Sequence, residues 1–122
     1  MMVQVRPARM ILLLIFFSAM IMLGAIPGSA SALSSGVGDK TLHLLAYAFM
    51  TALCFRTIKG TRLAQSLISL LIIALLGLLD ESLQSLLPYR NASLLDWCFD
   101  MAAAGTVIFI LNLCEPATTR MT

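Results

Sequence analysis

Apolar positions run along the chain in four long blocks, separated by short breaks of small, polar or basic residues. The first block, Met10 to Ile26, is continuous and follows Arg6 and Arg9. A helix of roughly 20 apolar residues crosses the hydrocarbon core of a bilayer, with about 17 as the lower limit. A cleaved signal peptide is the rival reading, because Ala30-Ser31-Ala32 resembles a small-residue cleavage site. The block is longer than the usual apolar region of a signal, so a retained helix is expected. Pro27 to Gly38, PGSASALSSGVG, has the composition of a loop. Asp39 then stands as N-cap or first-turn acid of a second helix. Arg56 to Arg62, with Gly60 inside it, is a short basic turn. A third helix follows and is closed before Pro88, since the residue ahead of a proline is steered out of helical geometry. The pattern predicts an all-α chain of four helices, at about 10–27, 40–58, 63–86 and 94–114, forming one transmembrane bundle and one domain over residues 1–122.

Polar residues interrupt the apolar blocks in register. In the second helix Asp39, His43 and Tyr47 are spaced i, i+4, i+8 and share a face. In the third, Gly77, Asp80 or Glu81, and Gln84 fall on one stripe; in the fourth, Asp96, Asp100 and Ala103 do. Ala102-Ala103-Ala104-Gly105 offers a small-residue surface for close helix contact. The stretch Leu79 to Asp100 holds four of the chain's six acidic residues between strongly apolar flanks. Charge at the end of an apolar helix costs several kcal/mol unless it is paired or hydrated.

Composition changes the picture from amphipathic bundle to membrane protein: 60% of residues are hydrophobic and only 11% charged, against about 25% charged in a soluble domain. A net charge of +2 without any basic run excludes nucleic acid as an expected partner. With four spans, Arg6, Arg9, Arg56, Lys59, Arg62 and Arg120 gather on one side, and only Lys40 and Arg90 on the other. Basic residues mark the cytoplasmic side, which places both termini there and predicts a multi-pass protein of the bacterial cytoplasmic (inner) membrane. The ends of helices two, three and four carrying Asp39, Lys40, His43, Asp80, Glu81, Gln84, Arg90, Asp96 and Asp100 then face outward. At about 1.5 Å per residue, His43, Glu81 and Asp100 lie roughly one or two turns below that surface, so one polar pocket is expected. The first helix brings no charge to it and reads as a wall.

These residues also resemble the VanZ-like membrane proteins. Asp39-Lys40 with His43 and Tyr47 is similar to that family's D-K-x-x-H-x-x-x-Y opening. Asp80-Glu81-x-x-Gln84, Pro88-Tyr89-Arg90 and Ser93-Leu94-Leu95-Asp96 are similar to its D-E-x-x-Q, P-x-R and S-L-x-D blocks. The likeness runs in order from Asp39 to about Gly105. It departs at Asp100, where the family usually has Asn, and at Ala103 and Val107, where it often has Gly. The resemblance implies a protein of the bacterial envelope and a link to susceptibility to the glycopeptide teicoplanin; it implies no reaction.

Five carboxylates (Asp39, Asp80, Glu81, Asp96, Asp100) against Lys40 and Arg90 are an excess of negative charge, which a partly buried pocket relieves with a proton or an outside cation. Glu81 or Asp100 is the carboxylate expected to depart furthest from ordinary behaviour. Arg90 either pairs with Asp96 or Glu81 within the chain or grips an outside carboxylate or phosphate. Lys40 reads as an interface anchor. Tyr47 and Gln84 read as members of a network that satisfies buried charge. His43 with Asp80 or Glu81 is a candidate acid–base pair. A metal centre is not expected, because no second His or thiolate lies in register, and no cofactor motif is present. Trp97 and Tyr89 fit an interfacial aromatic belt, and the methionines and the three cysteines read as packing residues. The pocket is expected to bind or handle a lipid or lipid-linked cell-wall component. The alternatives are a small membrane enzyme acting on a phosphorylated or acylated envelope substrate, or a structural, partner-binding bundle.

Overall fold

The computed structural model describes residues 3–25, 39–86 and 94–114, except for the side chains at 23–25, 39, 40 and 42. Expectations placed on the Pro27–Gly38 loop, on the side chains of Asp39 and Lys40, and on Pro88, Tyr89, Arg90, Ser93 and Arg120 fall outside these residues. The all-α expectation holds: four helices, α1 (Pro7–Ala25), α2 (Asp39–Thr57), α3 (Arg62–Gln84) and α4 (Leu94–Cys114), make up the fold. Pro7 starts α1 three residues ahead of the apolar block, in the first-turn position where its missing N–H is harmless. Thr61 caps α3, its hydroxyl accepting from the Ala64 N–H at 3.2 Å.

Two short strands, β1 (Gln4–Val5) and β2 (Ile58–Lys59), pair antiparallel and add an unforeseen feature. They tie the start of the chain to the turn after α2, and the Arg6 N–H donates to the Thr57 carbonyl at 2.8 Å alongside. Helix α2 packs against the other three, while α1 lies mainly on α2. Leu13 and Phe17 of α1 enter a core with Tyr47, Met50, Cys54, Ile73 and Ala104, and the Phe16 and Phe49 rings meet at 4.8 Å.

Large apolar side chains cover the outer sides of the helices. Leu63, Leu67, Leu71, Leu75 and Leu78 line the outside of α3, and Phe109, Ile110 and Leu113 that of α4. Helices α3 and α4 are the two long and apolar enough to cross a membrane; only 22% and 17% of their apolar windows are buried inside the protein. Helix α1 is apolar over the shorter stretch Pro7–Met22, and polar residues dilute α2. Hydroxyls within the helices turn back onto the preceding turn: Thr51 donates to the Tyr47 carbonyl, Ser82 to Leu78 and Thr106 to Ala102. Each hydroxyl is thereby satisfied within its own helix.

The bundle has chemically different ends. At one, the guanidinium of Arg62 donates to the carbonyls of Leu111 and Asn112 at 3.3 and 2.9 Å, closing the C-terminus of α4. Gln65 donates to the Phe55 carbonyl in the last turn of α2 at 3.4 Å and to the Ile58 carbonyl just beyond it at 2.8 Å, and Arg9 donates to the Arg56 carbonyl at 3.0 Å. Cations and donors at helix C-termini complement both the unmet carbonyls and the dipole. The acidic residues of the described chain lie at the other end.

Candidate functional site

At that other end the first turns of α2 and α4 meet the last turns of α3. His43 is one turn into α2, and both of its ring nitrogens face carboxylates: Nδ1 lies 2.8 Å from Asp100 Oδ1 and Nε2 lies 3.1 Å from Asp80 Oδ2. One imidazole therefore joins three helices. Tyr47, a further turn along the same face of α2, donates its hydroxyl to Asp80 Oδ2 at 3.0 Å. Gln84, one turn after Asp80, donates to Asp80 Oδ1 at 2.9 Å. The i, i+4 spacing of the sequence is thus used twice, once on α2 and once on α3, to aim side chains at a single carboxylate.

Burial makes this network consequential. Asp80 and Asp100 are 3% and 1% exposed and Tyr47 is fully buried. Asp80 accepts three hydrogen bonds, the arrangement that suits an ionised carboxylate away from water. Asp100 is held through Oδ1 alone; its Oδ2 is buried with no hydrogen-bond partner among the described residues. Glu81, 7% exposed, brings a carboxylate oxygen into the same space: ligand atoms of His43, Glu81 and Asp100 all lie within 4.8 Å of one another. The His43 and Tyr47 rings lie 5.0 Å apart and tilted, so the tyrosine forms the inner wall beside the imidazole.

The structure thus brings together His43, Tyr47, Asp80, Glu81, Gln84 and Asp100 out of the residues singled out from the sequence. Asp96 stands apart: it is half-buried, one turn before Asp100, and no hydrogen bond joins it to His43, Asp80 or Asp100. Asp39 and Lys40 start α2, and Arg90 lies outside the described residues.

Three sequence readings are corrected. Trp97, read as a member of an interfacial aromatic belt, lies between α3 and α4 and donates its indole N–H to the Ala74 carbonyl at 3.1 Å. Gly77 makes room for it, since a Cβ there would meet Trp97 Cδ1 at 2.9 Å. Among the cysteines only Cys54 packs inside; Cys98 and Cys114 are exposed. In the run Ala102 to Gly105 only Ala104 is buried, and Gly105 faces open space. The buried stripe of α4 is Asp100, Ala104, Ile108 and Leu111, which the i, i+4 rule picks out once Asp100 is taken as its start.

Comparison with protein-family models yields no match, and neither does comparison with curated proteins or with solved structures. The resemblance drawn above therefore rests on its motif residues alone.

Proposed function

We propose that this chain is a VanZ-like integral membrane protein of the bacterial cytoplasmic membrane. All four helices cross the bilayer, both termini are cytoplasmic, and the acid–histidine pocket opens outward to bind or handle a lipid or lipid-linked cell-wall component. One observation carries the reading. The sides of the helices are apolar, while His43, Asp80, Glu81 and Asp100 are withdrawn into one cluster at one end and Arg6, Arg9, Arg56, Lys59 and Arg62 gather at the other. Intramembrane ionisable groups face the bundle interior and mark functional sites by default, and the basic end fits the cytoplasmic face. Helix α2 packs against all three other helices and presents Leu45 and Phe49 outward.

Binding is favoured over catalysis by His43. A general base needs a nitrogen within reach of a substrate proton, and both His43 nitrogens already face carboxylates. One observation favours a purely structural role: both oxygens of Asp80 are taken by partners within the chain. The two readings separate by mass spectrometry of lipids that copurify with the intact protein. Binding predicts an anionic or lipid-linked species that His43→Gln and Arg90→Gln deplete at unchanged helical content. Identical lipid profiles for all three proteins would sink it. Altered teicoplanin susceptibility on expression is the cellular effect the resemblance implies.

A further inference from the structure

We infer that His43, Glu81 and Asp100 bind a divalent transition-metal cation, with His43 Nδ1 and one oxygen from each carboxylate as ligands. The inference goes beyond the lipid reading and stands without it. Three helices deliver these residues, and their ligand atoms already lie within 4.8 Å of one another. The observation that asks for a ligand is Asp100, 1% exposed, whose Oδ2 has no hydrogen-bond donor among the described residues. A buried carboxylate oxygen left without a partner is costly, and a cation beside it relieves that cost directly.

The surroundings of His43 select which nitrogen coordinates. Nε2 faces Asp80 Oδ2 at 3.1 Å, and Asp80 is itself fixed by Tyr47 and Gln84. The Nε2–H therefore donates to Asp80 and the other nitrogen is directed at Asp100. Metal-binding histidines almost always donate their second ring N–H to a carboxylate or carbonyl in this way, which sets the tautomer and raises the basicity of the ligating nitrogen. His43 Nδ1 and Asp100 Oδ1 are 2.8 Å apart. Two ligand atoms each about 2.0–2.2 Å from a tetrahedral metal stand about 3.4 Å apart, so the gap opens by roughly half an ångström on binding. The proton on the Nδ1···Oδ1 line leaves to solvent as the metal takes its place. One imidazole with two carboxylates suits zinc, manganese or ferrous ion better than calcium or magnesium. The His43 side chain is 19% exposed, which gives the ion a way in.

The test uses intact protein without a histidine tag, in mild detergent and freed of metal by a chelator. Zinc titrated by calorimetry is expected to bind at one equivalent per chain, and cobalt to give visible absorption from nitrogen and oxygen ligands. Asp100→Asn and Glu81→Gln each lower zinc affinity by about 100-fold or more, whereas Asp80→Asn, which only loosens the orientation of His43, lowers it by about 10–100-fold. Asp96→Asn leaves it unchanged. Because His43 is the only histidine, cobalt bound to wild-type protein must also shift its imidazole NMR signals, a readout that needs no variant to fold. Absence of saturable cobalt or zinc binding by folded wild-type protein overturns the inference, as does Asp100→Asn binding zinc as tightly as wild type.

Discussion

Asp80 is the residue on which the other polar side chains of the bundle converge, and its environment is one-sided. His43, Tyr47 and Gln84 all present donors to it. Asp80→Asn replaces an acceptor with an amide that must aim two N–H groups at other donors, leaving buried polar atoms unpaired. A loss of about 1–3 kcal/mol of stability is expected, read as a lower thermal unfolding midpoint by circular dichroism in detergent. Tyr47→Phe removes one donor and leaves the carboxylate two, so its effect is smaller, about 0.5–1.5 kcal/mol. Asp96→Asn, at a half-buried position that makes no hydrogen bond to the cluster, is expected to be close to neutral. Equal effects at Asp80 and Asp96 would mean that burial and hydrogen bonding do not distinguish them.

Between helices, the contact most sensitive to a single atom is the one between α3 and α4 at Gly77. The indole of Trp97 lies over that glycine and donates to Ala74. Gly77→Ala puts a methyl 2.9 Å from the ring, so the ring must move and its hydrogen bond to Ala74 lengthens or breaks. Trp97 is the sole tryptophan, and its fluorescence maximum reports the shift without labelling; an unchanged spectrum and melting point would contradict the packing. At the opposite end Arg62 holds the last carbonyls of α4. Arg62→Gln is expected to fray that turn, at about 0.3–1 kcal/mol, seen as faster amide exchange confined to the C-terminal turn of α4.

For the whole molecule the question is orientation, and the chain carries its own probes. Cys98 and Cys114 are exposed near opposite ends of α4, whereas Cys54 is buried. If the acidic cluster faces outward, a membrane-impermeant thiol reagent applied to intact cells labels a variant retaining only Cys98 and spares one retaining only Cys114. The reverse result would invert the proposed topology. A pattern with both labelled would remove the membrane-spanning reading of α4 altogether.

Much of this was legible in the chain itself. The four apolar blocks have lengths and breaks that leave helices as the only economical way to satisfy the backbone, so the all-α class follows from local patterning. The i, i+4 placement of His43 with Tyr47, and of Asp80 with Gln84, follows from helical period alone. What the sequence could not decide is which of two adjacent acids faces His43. Asp80 and Glu81 differ by one residue, about 100° of helix rotation, and only the packing of α3 on α2 sets Asp80 against the imidazole Nε2 while a Glu81 oxygen comes within 4.8 Å of His43 and Asp100. Trp97 was misread for the same reason: an indole beside a helix end suits a lipid interface equally well until Gly77, on another helix, opens a slot for it. The helix-end cap made by Arg62 joins residues about fifty positions apart in the chain, and no local pattern marks it. Periodicity depends on near neighbours and can be read along the chain, whereas the choice of partner depends on how helices rotate against one another, which three-dimensional packing decides.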